Sequence, residues 1–356
     1  MNAFLSVAAL CLLTGILFVL PLLPAFREMQ LSSDAAPLNV IQQHAGEIRY
    51  FADSFRTYLQ PLDAILQECA SSAHSVSGVM PDGTEYLVLG SGNDILALPL
   101  GKRDQLGHVL LASAGDLTVS ANSIFSRDIY ARGRFVGGPN NQYRALLAEY
   151  EVHLGQGSSI MRWVHAGGEL SAESACQIYG RASSDRRIRL ATGCTFLRLN
   201  APGIQFGDSP ANPAPPIHES SPSPSSITSD RSLHDGDFEI HPEEVFRGDL
   251  VVRGRLRIGS RSRVYGRIKS GKEMVVESGA QIAGSLICAT KLLIGPDCTI
   301  RGPVISEREV HIEAGTSCGT ADAPTTVSAP RIDVRAGVVV FGSAWAREHG
   351  EVLASS

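Results

Sequence analysis

The residues that could carry chemistry in this chain are its cysteines, its histidines and a few clustered acids. The 356 residues include 7 cysteines and 10 histidines. The cysteines are widely spaced and form no C-x-x-C pair, at Cys11, Cys69, Cys176, Cys194, Cys288, Cys298 and Cys318. Such spacing argues against a zinc site and a disulfide framework, and free thiols fit a reducing compartment. We therefore expect no metal site.

Acyl transfer is the reaction that the histidines could serve, because it typically needs a positioned general base. His241 lies at a predicted turn, and His311 lies between two apolar residues of a strand pattern, so its side chain points outward. The sequence indicates no carboxylate partner for either one, and both are interpreted as solvated surface residues. Glu307, Glu309 and Glu313 are likewise interpreted as a solvated face rather than an acid–base pair for cleaving carbohydrate or a calcium site.

Nucleotide and nucleic-acid binding have equally little support. The stretch Gly90-Ser91-Gly92 lacks the further glycine, the lysine and the following helix of a phosphate-binding loop. The net charge of −5 argues against nucleic-acid binding by bulk charge. With no catalytic constellation evident, the sequence predicts a protein that is not an enzyme and that has no cofactor.

Apolar residues recur along the sequence with a regular period of 18 residues. Three columns in the second half read Phe238, Leu256, Met274, Leu292 and Val310; Ile240, Ile258, Val276, Ile294 and Ile312; and Phe246, Val264, Ile282, Ile300 and Cys318. Such columns are expected when the chain coils so that each turn stacks on the turn before it around an apolar interior. The distance between stacked turns is then about 4.8 Å. The predicted fold class is all-β, a parallel β-helix (β-solenoid) with 18-residue rungs.

The repeat occupies two tracts. The first, residues 84–206, is predicted to open with a hairpin of Tyr86–Leu89 and Ile95–Leu100, and to contain a protruding insertion at 137–150. Residues 207–235 are rich in proline and serine and are predicted to be a disordered linker. The second tract covers 236–346 and a tail covers 347–356. The sequence does not determine whether the two tracts stack into one rod.

The N-terminal residues 1–30 are predicted to form a membrane anchor. Ala3 to Phe26 carries no charge, and a helix of this length reaches about 36 Å, enough to span the hydrocarbon core. Basic residues begin only after the span, at Arg27, so the positive-inside rule places the solenoid on the cytoplasmic side. We therefore expect a single-pass protein of the inner (cytoplasmic) membrane.

Residues 38–70 have a helical period and are predicted to form a juxtamembrane amphipathic helix. Eight apolar residues from Ile41 to Leu66 fall on one stripe, and Pro61 should kink or split the helix. The stripe could mediate self-association at the membrane or pack against the domain that follows, and packing is the favoured interpretation.

The stretch Leu256–Ser306, which begins LRIGSRSRVYGRI, resembles the bactofilin family of polymer-forming bacterial cytoskeletal proteins. The resemblance lies in the cadence L-x-I-G-x-x-x-x-V-x-G-x-I at Leu256–Ile268, repeated at Leu292–Val304. It implies a right-handed, three-sided β-helix that assembles end to end without nucleotide. It also implies a non-enzymatic scaffold for cell-envelope or shape processes at the membrane. Family members are usually short and lack a spanning helix and a second tract, so this chain would be an anchored, doubled variant.

Two other functions are compatible with the sequence. Left-handed β-helix acyltransferases also run at 18 residues per turn, as three hexapeptides, so the period alone does not choose between the classes. A monomeric, membrane-tethered binding solenoid is the other alternative.

Two surfaces are candidates for function. The last turn, Ile332–Trp345, has no capping helix after it, so its apolar end is a candidate self-assembly surface, with Val338, Val340, Phe341 and Trp345. A basic face carries Arg253, Arg255, Arg257, Arg263 and Arg267. This face is either solvated or attracts anionic lipid headgroups or an acidic partner. The predicted partners are the chain itself, the membrane and cell-envelope proteins, but not nucleic acid.

Overall fold

A computed structural model describes residues 50–72, 74–90, 106–207 and 231–355, together with positions 13, 14 and 20. The chain divides into two units, Met1–Glu47 and Ile48–Ser356, and the second contains the solenoid and the helical segment before it. Nearly all of the predicted anchor at 1–30, the first part of the helix at 38–70 and most of the linker at 207–235 lie outside the described residues. Within the part of the chain that is described, no helix is long and apolar enough to cross a bilayer.

The helical segment is split at the predicted place. Helix α1 (Tyr50–Leu59) is followed by a 3₁₀ turn (Gln60–Leu62) and by helix α2 (Asp63–Ala70). The split is at Pro61, whose ring removes a backbone donor and clashes with the preceding turn, so this prediction is confirmed. The apolar stripe is buried against the outer face of the first tract, where it meets Val88, Leu110, Ala112, Ala145, Leu147 and Trp163. For the described residues, the packing interpretation of the stripe is confirmed.

A hairpin precedes the solenoid, but with a different partner from the predicted one. Strands β1 (Val76–Val79) and β2 (Glu85–Leu89) pair antiparallel. They are joined by a Pro-Asp-Gly turn in which Gly83 adopts a φ of +84°, a conformation that glycine tolerates best. The partner of β2 is therefore the preceding strand, whereas the predicted partner, Ile95–Leu100, lies outside the described residues.

The first tract then coils through parallel rungs. Strand β2 is the first strand of the ladder, and the strand that follows a 3₁₀ turn at Leu106–His108 stacks on it in parallel. Its strands are β3 (Leu110–Ser113), β4 (Leu117–Val119), β5 (Ile124–Ala131), β6 (Phe135–Gly137), β7 (Gln142–Ala148), β8 (Val152–Leu154), β9 (Ser159–Ala166), β10 (Glu169–Ala172), β11 (Gln177–Ser184), β12 (Arg187–Leu190) and β13 (Thr195–Phe206). The odd-numbered strands from β3 to β13 stack in one ladder. The even-numbered strands stack in another, which ends on the second half of β13.

The predicted insertion at 137–150 is wrong, because this stretch is a regular rung. It contributes the end of β6 and all of β7, and Phe135 and Tyr143 are both fully buried in the interior. Phe135 pairs with Val152 and Tyr143 with Ile160, each one residue short of the period of 18. That single missing residue shifted the apolar columns and hid the rung.

The second tract has three strands per rung. They are β14 (Arg231–His234), β15 (Phe238–Ile240), β16 (Val245–Arg247), β17 (Asp249–Val252), β18 (Leu256–Ile258), β19 (Arg263–Tyr265), β20 (Ile268–Ser270), β21 (Met274–Val276), β22 (Gln281–Ile282), β23 (Leu286–Cys288), β24 (Lys291–Ile294), β25 (Thr299–Ile300), β26 (Val304–Ser306), β27 (Glu309–Ile312), β28 (Ser317–Cys318), β29 (Thr325–Arg335) and β30 (Val339–Leu353). Every third strand stacks in parallel on the one before. The solenoid prediction is confirmed, with about 12 turns among the described residues.

The two tracts meet at their C-terminal ends. Strand β13 pairs antiparallel with β30, from Thr195 opposite Glu351 to Gln205 opposite Val339. At this junction the ring of Phe196 packs on Phe206, with 5.6 Å between ring centroids. It also covers Gly350, where a Cβ atom would come within 2.5 Å of the ring. One apolar core therefore runs through both tracts.

The junction corrects the prediction of an uncapped C-terminal end. Val338 and Val340 are 0% and 1% exposed, because β13 covers their turn. Trp345 is 42% exposed, and the Arg198 guanidinium lies 4.7 Å from its ring centroid. Phe341 is half-buried in the same strand. Strand β30 also continues to Leu353, so most of the predicted tail at 347–356 belongs to the last turn.

Candidate functional site at the open end of the solenoid

The opposite end of the second tract is open. Strands β14, β15 and β16 each pair on one side only, with β17, β18 and β19, and no described strand lies on their other side. We call this rung, residues 231–247, the open end. It exposes 57% of Leu233 and 49% of Val245, while Phe238 and Phe246 are partly buried against the core. Backbone edges and apolar side chains are thus presented together.

The hydrogen bonds show which backbone groups of β15 are free. The N–H of Phe238 donates to the carbonyl of Arg255, 2.9 Å away in the next rung. In a parallel ladder, successive residues direct their N–H and C=O groups to opposite sides of the strand. The N–H and C=O of Glu239 therefore face away from β18, toward the open side.

Three of the five arginines of the predicted basic face, and the neighbouring Arg261, are paired with acids. Arg253 contacts Asp235 at 2.8 Å, Arg255 contacts Asp237 at 2.9 Å, and Arg261 contacts Glu243 at 2.5 Å. Arg257 pairs with Glu277 and lies 3.9 Å from Glu239. Hydrogen bonds from the backbone and side chain of Arg255 lower the pKa of Asp237. Exposed pairs stabilise little, but they neutralise part of the charge on this face, which the sequence left as either solvated or attractive to an anionic partner.

The other two predicted arginines lie apart from these pairs. Neither Arg263 nor Arg267 forms an ion pair with a described residue. The backbone N–H of Arg267 donates to the Asp249 carboxylate at 2.8 Å. Together with the pairs above, this means that the five predicted arginines do not form one unneutralised surface.

His311 has the carboxylate neighbours that sequence reasoning missed. Its Nε2 lies 3.0 Å from a Glu313 oxygen and its Nδ1 3.9 Å from an Asp333 oxygen. Asp333 reaches it because β27 stacks in register on β29 across the loop that lengthens this turn. The His241 backbone N–H instead donates to Glu244 at 2.8 Å. The expectation that no carboxylate lies beside His311 is therefore wrong.

A second histidine group lies on the first tract, and the sequence analysis did not single it out. His153 Nδ1 is 3.0 Å from the Ser171 hydroxyl, and its Nε2 is 3.2 Å from Glu173. Serine, histidine and carboxylate in this order match the parts of a nucleophile with its base and orienting acid. The described cavity of about 280 Å³ lies elsewhere, beside α1, where Arg56, Tyr130 and Glu149 line it. The spacing of one rung between His153 and Ser171 is the signal that could have revealed this group.

The described cysteines behave as core residues. Each is a free thiol with a buried side chain. Burial raises the pKa of Cys298 to about 11 and that of Cys318 to about 12. A hydrogen bond from Cys194 lowers the pKa of Cys176. No cluster of three or more metal-ligating side chains occurs among the residues that the structure describes.

The predicted site residues thus lie in two places. The four self-assembly candidates, Val338, Val340, Phe341 and Trp345, are at the junction of the tracts, and the arginine candidates lie beside the open end. The open end itself was not among the predicted sites. No known protein family, curated protein or solved structure matches this chain.

Proposed function

We propose that this protein is a non-enzymatic scaffold of the bacterial inner membrane that self-associates through its open end. In this proposal, residues 1–30 anchor the chain and the solenoid lies in the cytoplasm. Its coil is right-handed, as the bactofilin resemblance implies, and cell-envelope proteins are its further partners. The proposed contact is residues 231–247, in place of the C-terminal turn that β13 covers.

The observation that carries this proposal is the set of three one-sided strands at the open end. An unpaired strand edge is a template for another strand, and soluble proteins usually cover it or break it with charge or proline. In this rung Pro242 lies between β15 and β16 rather than in a strand, and Asp235, Asp237 and Glu243 are paired with arginines of the next rung. Here Leu233 and Val245 add exposed apolar surface to the edges. A second copy of the chain supplies the same edges and the same apolar surface.

The chain's own junction supports pairing between solenoid ends. There β13 and β30 run antiparallel, so two ends of this solenoid type can meet with their backbones paired. The C-terminal end of the second tract is used within the chain, and among the described residues the open end is the one end where all three strands of a rung lack a neighbour on one side. At the far end of the first tract, β1 runs antiparallel to β2 and interrupts the parallel ladder. The proposed product is therefore an end-to-end pair.

We expect Glu239→Pro to abolish self-association while leaving the fold intact. Glu239 is exposed, and its N–H faces the open side, so proline removes a donor that no described strand of the chain uses. Edge strands are also where proline is tolerated. Sedimentation velocity of the full chain in mild detergent should show a pair for the parent and a single chain for the variant.

The matched control is Arg257→Pro, the same position one rung inward. Arg257 lies between β15 and β21, so proline there removes a ladder hydrogen bond and should lower the melting temperature. A Glu239→Pro variant that still sediments as a pair would place the contact elsewhere. A parent that sediments as a single chain would favour the monomeric tethered solenoid.

An acyltransferase is the second candidate, and the contact between His311 and Glu313 is the observation that favours it. A histidine held 3.0 Å from a carboxylate is a plausible arrangement for a general base. The scaffold proposal expects no acyl-CoA turnover by the purified chain. Turnover that disappears in His311→Ala would support the acyltransferase instead.

A further inference from the structure

Five arginines lie along one corner of the first tract, one in each rung from β5 to β13. Arg127, Arg144 and Arg162 stack at the bulge, in line with Gly180, whereas Arg181 and Arg198 stack on Trp163 in the adjacent column. They lie at or directly after the point where the strands bulge and their register shifts. With rungs about 4.8 Å apart, the row extends about 20 Å along the solenoid. We call these five residues the arginine ridge.

The arginine ridge is poorly neutralised. One carboxylate, Asp128, serves three of these arginines: it lies 3.6 Å from Arg144 and attracts Arg127 and Arg162 at longer range. Apart from Arg144, none of the five forms an ion pair within 4 Å with a described residue. Burial raises the pKa of Asp128, because it disfavours the charged carboxylate that would pair with these arginines. The second tract provides the contrast, because Arg253, Arg255 and Arg261 each contact an acid one rung away.

Exposed amphipathic and apolar side chains flank the arginine ridge. Ile124 is 66% exposed, Met161 52% and Tyr179 50%. The neighbouring column on this face, which begins at Ile124, is otherwise uncharged through the tract, with Gln142, Ser159, Gln177 and Thr195. Two guanidinium groups are held by aromatic rings: Arg181 lies 4.3 Å from the centroid of Phe51, and Arg198 lies over Trp345.

We infer that the arginine ridge binds an anionic phospholipid surface. Guanidinium groups bind phosphate oxygens in a bidentate manner, and stacking on a ring leaves their N–H edges available. Tyrosine and exposed apolar side chains favour the headgroup layer of a bilayer, so Ile124, Met161 and Tyr179 would enter it beside the phosphates. This inference does not depend on self-association or on the anchor, because all five arginines belong to the strands of the first tract.

The test measures how the full chain distributes between two kinds of vesicle, by flotation. One contains phosphatidylcholine alone, and the other an equal mixture of phosphatidylcholine and phosphatidylglycerol. The ridge variant combines Arg127→Gln, Arg162→Gln and Arg198→Gln. We expect its preference for the anionic vesicles to fall by about fivefold for each arginine removed, and the parent's preference to weaken with salt.

The control variant combines Arg253→Gln, Arg255→Gln and Arg261→Gln, which removes the same charge from paired arginines. It should keep the parent's preference for anionic vesicles. An equal loss in both variants, or no loss in the ridge variant, would overturn the inference. So would a ridge-dependent binding of a single-stranded DNA oligonucleotide with unchanged vesicle binding, which would favour nucleic acid. Binding to phosphatidylcholine alone reports the proposed anchor separately.

Discussion

Replacing Ile282 with aspartate is expected to lower the free energy of unfolding by about 4 kcal/mol or more. Ile282 is 0% exposed and is stacked between Val264 and Ile300 in the interior of the second tract. A carboxylate there would lose its hydration with no cation inside the apolar column. Urea denaturation, followed by circular dichroism, measures the difference.

The matched control is Gln281→Asp, at the adjacent position, whose side chain is only half-buried. A change there should stay within about 0.5 kcal/mol of the parent. If Ile282→Asp were as stable as this control, the inward and outward positions of β22 would be assigned to the wrong faces.

Truncating Phe196 should weaken the junction between the tracts by about 3–5 kcal/mol. The ring is 2% exposed, packs on Phe206 and covers Gly350 of the other tract. Phe196→Ala leaves a cavity between two rigid turns that cannot easily collapse into it. The same denaturation experiment measures the loss, which we expect to separate the unfolding of the two tracts.

Trp345→Ala is the control at the same junction. Its indole is 42% exposed and stacks on Arg198, so its loss should cost only about 0.5–1 kcal/mol. Equal effects of the two substitutions would mean that the antiparallel contact between β13 and β30 does not hold the tracts together.

The repeat was predictable because its period records the stacking directly. Leu256 pairs with Met274 and Ile258 with Val276, as the columns required. The rung at residues 137–150 was not recognised in the sequence because it is one residue shorter than the period of 18. Its apolar residues are therefore out of line with the columns, although they are of the same type. The ion pairs could have been predicted from the sequence, since Asp235 and Asp237 precede Arg253 and Arg255 by one period of 18 residues.

The ends of the solenoid were not predictable in the same way. A period specifies how each turn meets the next turn of its own tract, whereas the junction joins two tracts across the linker. Phe196 and Gly350 share no repeat position, and their contact follows from an antiparallel pairing that neither tract's pattern encodes. Because β13 covers the turn that contains Phe341, the candidate assembly site is the rung that begins at Arg231 instead.

Electron microscopy of the purified full chain tests the central claim most directly, because end-to-end pairing changes rod length. About 12 turns at about 4.8 Å each give one solenoid body a length of about 58 Å. Pairing through the open end predicts rods about twice as long, near 115 Å, that become single bodies in Glu239→Pro. Parent particles that are all single bodies, or that associate side by side, would contradict it.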